Sequence, residues 1–175
     1  MDNLEQRMID AARRGEPEGY SYLMTRYSRR VLLLVTQVVS DARDAEEVAQ
    51  DVFVRAFDRL DMFDQGRGSF GVWIGRIAWN LALNATRSHK LEDLEILDNL
   101  DIHEELDDSA SEAQRITLLD KAIERLRPEE RTLLHLHYYD GHSLQEIAEI
   151  MDVGAGPLAS RLQRIRQKLT KLISK

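Results

Sequence analysis

The sequence predicts an all-α protein made of two small helical domains, and three observations support this prediction. The 175 residues include only 3 Pro and 9 Gly, so few positions interrupt a helix. Apolar residues recur at intervals of three and four, and no segment alternates as a strand would. Residues 91–112 carry ten acidic side chains and no Lys or Arg. We therefore predict a domain over residues 1–90, an acidic linker over 91–111 and a second domain over 112–175.

The charge distribution indicates where a polyanion would bind. The chain has 24 Lys and Arg against 31 Asp and Glu, a net charge of -7, but ten of the acids lie in residues 91–112. The last twenty residues, 156–175, contain six basic side chains and no acidic one. Such a block is typical of a nucleic-acid-binding surface, although a solvated terminal helix has a similar composition.

The composition excludes several classes of protein. The chain has no Cys, which rules out disulfides and thiolate chemistry and fits a reducing compartment. The longest apolar run, residues 31–35, is far shorter than the roughly 18 residues that a membrane span needs. The acidic start MDNLEQ does not resemble a signal peptide. We therefore predict a cytoplasmic protein that does not insert into membranes and needs no cofactor.

Eight helices are predicted, separated by breaks at Gly, Pro, Ser and Asp. They cover residues 3–14, 19–39, 44–60, 69–89, 112–126, 128–139, 143–151 and 157–173.

The predicted helix 44–60 has an apolar stripe and an acidic opposite face. The stripe steps alternately by three and one, and comprises Ala45, Val48, Ala49, Val52, Phe53, Ala56, Phe57 and Leu60. Asp44 and Glu47 resemble a capping box, which predicts the start of the helix. Val54 lies on the acidic face, where a partner contact would explain it, but a single exposed Val is also common.

The predicted helix 69–89 has a core stripe and an unusual second face. After a candidate N-cap at Ser69, the core stripe comprises Phe70, Trp73, Ile74, Ile77, Ala78, Leu81 and Ala85. The other face places polar side chains at i, i+4, i+8 and i+11, which are Arg76, Asn80, Asn84 and Arg87. Trp79 and Leu83 form an adjacent ridge. Amide, guanidinium and exposed indole groups together suit single-stranded DNA, while the alternative is a polar surface with a half-buried Trp.

The second domain carries a helix-turn-helix pattern. Ser143 and Glu146 form a capping box, and the apolar residues that follow it face inward at Ile147, Ala148 and Met151. The last helix then has an apolar stripe at Leu158, Leu162, Ile165, Leu169 and Leu172. Its outer stripe is basic and comprises Arg161, Arg164, Lys168 and Lys171. A basic second helix favours DNA binding, although helical hairpins with basic tails also occur for structural reasons.

These segments together resemble the extracytoplasmic-function (ECF) class of bacterial sigma-seventy-type factors over nearly the whole chain. The first block resembles the region-two domain through DAEEVAQDVFVRAFDRLDMFDQGRGSFGVWIGRIAWNLALNATR. The second resembles the region-four domain through ERLRPEERTLLHLHYYDGHSLQEIAEIM followed by SRLQRIRQKL. The resemblance implies a non-enzymatic factor that binds core RNA polymerase and promoter DNA, with an anti-sigma factor as its regulator.

The resemblance also implies roles for individual residues of the first block. Core polymerase would contact Asp44, Glu47, Gln50 and Asp51. Phe63 and Asp64 would lie in the loop that captures a flipped base of the minus-ten element. Arg76, Asn80 and Arg87, with Trp79 and Asn84 beside them, would lie along the DNA strand.

In the second block, the resemblance implies that the last helix enters the major groove of the minus-35 element. This chain departs from the family there, because it has Asp152, Gly154, Pro157 and Ala159 where the family usually has a turn Gly, a Ser cap and a Thr or Lys facing bases. Asp tolerates a left-handed turn and Pro suits a first helical turn, so the fold is expected to persist. We expect the basic stripe to anchor phosphates rather than read bases.

Three other functions would fit parts of the sequence. A sigma-like mimic that binds a protein regulator would fit the altered recognition helix. An ordinary helix-turn-helix repressor would fit the second block but would not account for the first. A metal enzyme would rest on His135, His137 and His142. Helical residues at i and i+2 point to different faces, which disfavours a metal site there.

Overall fold

A computed structural model describes residues 3–89 and 112–173, and these residues form helices joined by short loops with no strand among them. The α-helices are α1 (Asn3–Arg13), α2 (Pro17–Thr36), α3 (Ala42–Asp58), α4 (Phe70–His89), α5 (Glu112–Glu124), α6 (Pro128–Leu134), α7 (Leu144–Met151) and α8 (Ala155–Ile173). The predicted all-α class is confirmed. The acidic linker predicted over 91–111 lies outside the described residues, as do the side chains of Arg87 and Lys171.

Several helix starts follow from local capping chemistry, but α2, α3 and α8 each begin two residues before the predicted position. α2 begins at Pro17 rather than at residue 19, because Pro fits the first helical position, where no amide donor is needed. α3 begins at Ala42, and the cap is Asp41, whose carboxylate accepts hydrogen bonds from the amides of Arg43 and Asp44. The predicted capping box of Asp44 and Glu47 is therefore wrong, because the residue before the helix already satisfies these amides.

The predicted cap of α7 is confirmed. The Ser143 hydroxyl accepts a hydrogen bond from the Glu146 amide at 3.2 Å, and the Glu146 carboxylate accepts one from the Ser143 amide at 2.9 Å. This bond from the Ser143 amide is the main reason that the pKa of Glu146 is lowered. α7 ends at Met151 and is capped by Asp152, which has the left-handed conformation expected there, with φ of 56° and ψ of 47°.

We expect Ser143→Ala to lower the free energy of unfolding by about 1 kcal/mol, because the Glu146 amide loses its acceptor. Ser143→Asp should restore most of that loss, since a carboxylate also caps a helix. Urea denaturation followed by circular dichroism measures both changes. A loss as large for Ser143→Asp as for Ser143→Ala would contradict the capping role.

A single hydrophobic core runs through both helical blocks. The first block packs α1 on α2, and α3 and α4 on α2, around buried residues such as Leu23, Val35 and Phe70. In the second block α8 packs against α5, α6 and α7. α7 also packs along α4, so the core is continuous from one block to the other. The two blocks therefore share buried surface, which the sequence alone did not predict.

Candidate partner and nucleic-acid surfaces

The acidic face of α3, defined here as Glu47, Gln50 and Asp51, is exposed as a continuous surface. The opposite side of the helix is buried against α2 and α4, because its apolar stripe faces the core as predicted. Asp44, at the start of the face, is half-buried. Val54 is 60% exposed at the end of the face, so the helix presents an apolar side chain within an acidic surface. Such a surface suits a partner that is both basic and apolar.

The loop between α3 and α4 contains two short 3-10 helices, Leu60–Met62 and Gln65–Arg67. Phe63 lies between them and is only 4% exposed. Its ring packs on Phe70 at 5.4 Å and on Trp73 at 5.5 Å between ring centroids. In this conformation the buried Phe63 ring anchors the loop to α4, and the base-capturing role implied for this loop stays a prediction.

Asp64, the other loop residue in the prediction, is exposed. Its carboxylate accepts a hydrogen bond from the Gly66 amide at 2.8 Å and lies 3.4 Å from the Arg67 guanidinium. These contacts hold the turn that follows Phe63. The loop therefore exposes Asp64 and Arg67, while the Phe63 ring anchors it to α4.

α4 exposes a narrow polar stripe, defined here as Arg76, Asn80 and Asn84, in the predicted arrangement. The expected exposure of Trp79 is wrong, because the indole is 3% exposed and belongs to the shared core. One turn before Trp79, a Cβ at Gly75 would lie 3.4 Å from Ile150, so α7 packs closely on α4 at that point. Leu83, the other residue of the predicted ridge, is half-buried.

α8 carries the predicted basic stripe, whose described residues are Arg161, Arg164 and Lys168. Arg164 and Lys168 are exposed and Arg161 is half-buried, while Leu158, Leu162 and Ile165 are buried on the opposite side. The helix begins at Ala155, two residues before the predicted start. Pro157 therefore lies in the first turn, and like Ala159 it is exposed without a hydrogen-bonding side chain.

Sequence reasoning missed the contacts that join the two blocks. Arg76 Nη2 lies 2.8 Å from Asp152 Oδ1. Arg131 Nη2 donates a hydrogen bond of 2.8 Å to the Gln37 carbonyl. One signal was present in the sequence, because Ile150 lies outside the inward set of α7 yet is apolar. An extra apolar side chain on a short helix indicates a second packing partner.

Two of the three histidines considered for a metal site, His135 and His137, lie in a π-helical turn, and His142 follows it. His135 is buried at the start of a π-helical turn, His135–Tyr139, with Nε2 3.6 Å from Asp140 Oδ2. Burial lowers the pKa of His135, and the Asp140 carboxylate opposes this effect. Within residues 3–89 and 112–173, no group of three or more His, Cys, Asp or Glu is placed to hold a metal ion. No helix in these same segments is long and apolar enough to cross a membrane.

Comparison with known proteins identifies both blocks. Residues 23–92 match the family Sigma-70 region 2, and residues 116–169 match Sigma-70, region 4. The ECF RNA polymerase sigma-E factor of Haemophilus influenzae is 30% identical over 97% of this chain and 95% of its own length. The ECF RNA polymerase sigma factor SigW of Bacillus subtilis is 26% identical over 98% of this chain and 97% of its own length.

Solved structures have the same fold. CnrH, in complex with the cytosolic domain of CnrY, has a TM-score of 0.68 at 23% identity and covers 97% of both chains. The sigma factor RpoE of Bartonella quintana, in complex with the anti-sigma factor NepR, has a TM-score of 0.64 at 20% identity over 89% of this chain and 96% of its own. With the two matched regions and the 30% identical relative, these similarities show that the chain belongs to the ECF family of RNA polymerase sigma factors.

Proposed function

We propose that this chain acts as a sigma factor, which binds core RNA polymerase and directs it to promoter DNA. Three of its surfaces have separate roles in this function. The acidic face of α3 binds polymerase, the polar stripe of α4 reads the minus-ten element, and the basic stripe of α8 holds upstream DNA. The observation that carries this proposal is the chemical contrast between the two DNA-binding stripes. The polar stripe offers two amide groups beside one guanidinium, and the described basic stripe consists of guanidinium and ammonium groups without an amide.

The polar stripe is suited to discrimination between bases. Asn side chains make paired hydrogen bonds to adenine and Arg makes them to guanine, and each good pair contributes about 1–3 kcal/mol of discrimination. Asn80 and Asn84 are exposed one turn apart on α4, the helix that follows the loop that presents Asp64. Their shared exposure on one helix supports a reading surface for an opened strand.

The basic stripe is suited to affinity without discrimination. Arg164 and Lys168 are exposed one turn apart and neutralise phosphates, which raises affinity and makes binding sensitive to salt. Pro157 and Ala159, which are exposed near the start of α8, cannot form paired hydrogen bonds with a base. Upstream binding should therefore tolerate base changes.

The experiment is transcription in vitro with core polymerase, on a promoter whose bases are changed one at a time. We expect Asn80→Ala to change which minus-ten bases are accepted. We expect Arg164→Ala to lower output almost uniformly and to reduce the slope of log affinity against log salt by about 0.9. Gln163→Ala, an exposed neutral change on the same helix, serves as the control.

Two results would contradict the proposal. Absence of promoter-specific starts with the wild-type chain would reject the sigma function itself. Sharp upstream base preferences that disappear with Arg164→Ala would reject only the proposal that the basic stripe binds phosphates without reading bases, because Arg164 would then read bases directly.

We also propose that an anti-sigma factor regulates this chain. A groove of about 360 Å³ lies between the end of α2, the start of α3, the end of α4 and the start of α6. Val38, Val39 and Leu83 supply apolar lining, and Asp41 and Asp44 supply acidic lining. A partner helix with apolar and basic side chains complements this groove, and it would cover Asp44 beside the acidic face of α3.

A further inference from the structure

The loop between α3 and α4 is held by a side chain of α1, Arg13. Arg13 Nε and Nη2 donate hydrogen bonds of 3.4 Å and 3.3 Å to the Leu60 carbonyl, and Nη2 also donates one to the Phe63 carbonyl. α1 packs on the 3-10 helix that begins at Leu60, and Phe63 follows the end of that helix. The guanidinium of Arg13 therefore fixes the loop backbone at both ends of its first 3-10 helix.

The two carbonyls that Arg13 contacts belong to residues whose side chains are buried. Leu60 is 3% exposed and Phe63 is 4% exposed, while the residues between them are exposed. Apolar packing holds these two side chains, but it does not set the direction in which the backbone leaves Phe63. The Phe63 carbonyl lies in the same planar peptide unit as the amide of Asp64. By holding this carbonyl, Arg13 orients the peptide that leads into the exposed Asp64.

The Arg13 guanidinium is itself oriented from within α1. Asp10, one turn earlier, lies 3.2 Å from Arg13 Nη1, and its Oδ1 also accepts a hydrogen bond of 3.1 Å from Gln6 Nε2. Nη1 is thus engaged on α1, while Nε and Nη2 are directed to the loop. A planar guanidinium makes both sets of bonds in one fixed geometry, which the single ammonium group of a Lys does not reproduce.

On the basis of the proposed function, we propose that Arg13 is a positioning residue for minus-ten recognition, because it holds the backbone that carries Asp64. Arg13 acts through the loop and does not itself contact DNA. The loop leads directly into α4, and the polar stripe begins at Arg76, about two turns after the helix starts at Phe70. Side chains that recognise a ligand must be held to within about 0.5 Å of the productive geometry. The match to Sigma-70 region 2 covers residues 23–92, so it assigns no role to Arg13.

Transcription in vitro with core polymerase tests the proposal, on a promoter whose minus-ten bases are changed one at a time. We expect Arg13→Ala to reduce the preference for one base by about fivefold or more, and this base should be the one that Asp64→Ala also affects. The double variant should lose no more preference than Asp64→Ala alone, since Arg13 acts only through the position of Asp64. A uniform loss of output without a change in base preference would overturn the positioning role. Effects of the two single variants at different bases would also overturn it.

Arg14→Ala is the matched control for this test. Arg14 is the next residue of the chain and has the same charge, but it pairs with Glu16 on the surface instead of contacting the loop. The control should leave base preference unchanged. Arg13→Lys keeps the charge and a donor, so it should recover part of the preference that Arg13→Ala loses. If circular dichroism showed that Arg13→Ala is unfolded, Arg13→Lys would decide the question, with about a twofold loss expected at the same base.

Amide hydrogen exchange of the free chain tests the anchor without transcription. The amides of Phe63 and Arg67 are hydrogen-bonded within the loop, to the carbonyls three residues earlier. We expect Arg13→Ala, but not Arg14→Ala, to speed their exchange by about tenfold, because the loop opens more readily. Unchanged exchange would overturn the anchor. If the wild-type chain gave no promoter-specific starts, the proposed function and the recognition role of Arg13 would fail, while exchange would still show whether Arg13 holds the loop.

Discussion

Replacing Phe70 with Ala is expected to lower the free energy of unfolding by about 3–5 kcal/mol, a large part of the stability of a small protein. Phe70 is fully buried at the start of α4. Its ring lies 5.2 Å from Tyr27, 5.4 Å from Phe63 and 5.5 Å from Trp73 between centroids. The substitution leaves a cavity between α2, α4 and the loop, and surrounding side chains collapse into such a cavity only in part.

Urea denaturation followed by tryptophan fluorescence measures this loss, because Trp73 packs directly on Phe70 and reports the local packing. Val54→Ala is the matched control, because Val54 is 60% exposed and its truncation should change stability by less than about 0.5 kcal/mol. Equal stability losses for the two variants would contradict the central role of the aromatic cluster. We expect Phe70→Ala also to weaken minus-ten selection, since Phe63 loses its support.

Replacing Asp51 with Arg is expected to weaken binding to core polymerase by about tenfold to a hundredfold. Asp51 lies at the centre of the acidic face of α3, and reversing its charge places like charges together at the proposed interface. The side chain is exposed and the opposite side of α3 supplies the core, so helical content and stability should be unchanged. Binding of fluorescently labelled protein to core polymerase at two salt concentrations measures the effect.

Asp120→Arg provides the control for this charge reversal. Asp120 is exposed on α5, outside the acidic face, so the same change in net charge should leave polymerase binding within about twofold of wild type. Similar losses for both variants would indicate an effect of net charge, and unchanged binding of Asp51→Arg would remove Asp51 from the interface.

The sequence by itself determined the elements and most of the exposed faces. Local rules were sufficient at Ser143, where a hydroxyl caps the helix, and at Asp152, where a short acidic residue adopts the left-handed turn. Periodicity was sufficient for the core stripe of α3 and for the exposure of Asn80 and Arg164, because an amphipathic helix turns its apolar side inward whatever covers it. The family motifs extended this reading to promoter recognition.

Only the tertiary structure decided what covers each apolar side. Periodicity placed Trp79 off the main stripe, but it could not show that the indole is buried in a core that both blocks share, because the residues of the second block lie tens of positions later. The pairing of Arg76 with Asp152 cannot be predicted from the sequence either, because each residue alone is an ordinary exposed charge. Burial and charge pairing between distant segments depend on how the helices assemble. The residue pattern of a single helix does not predict which other helix packs on it.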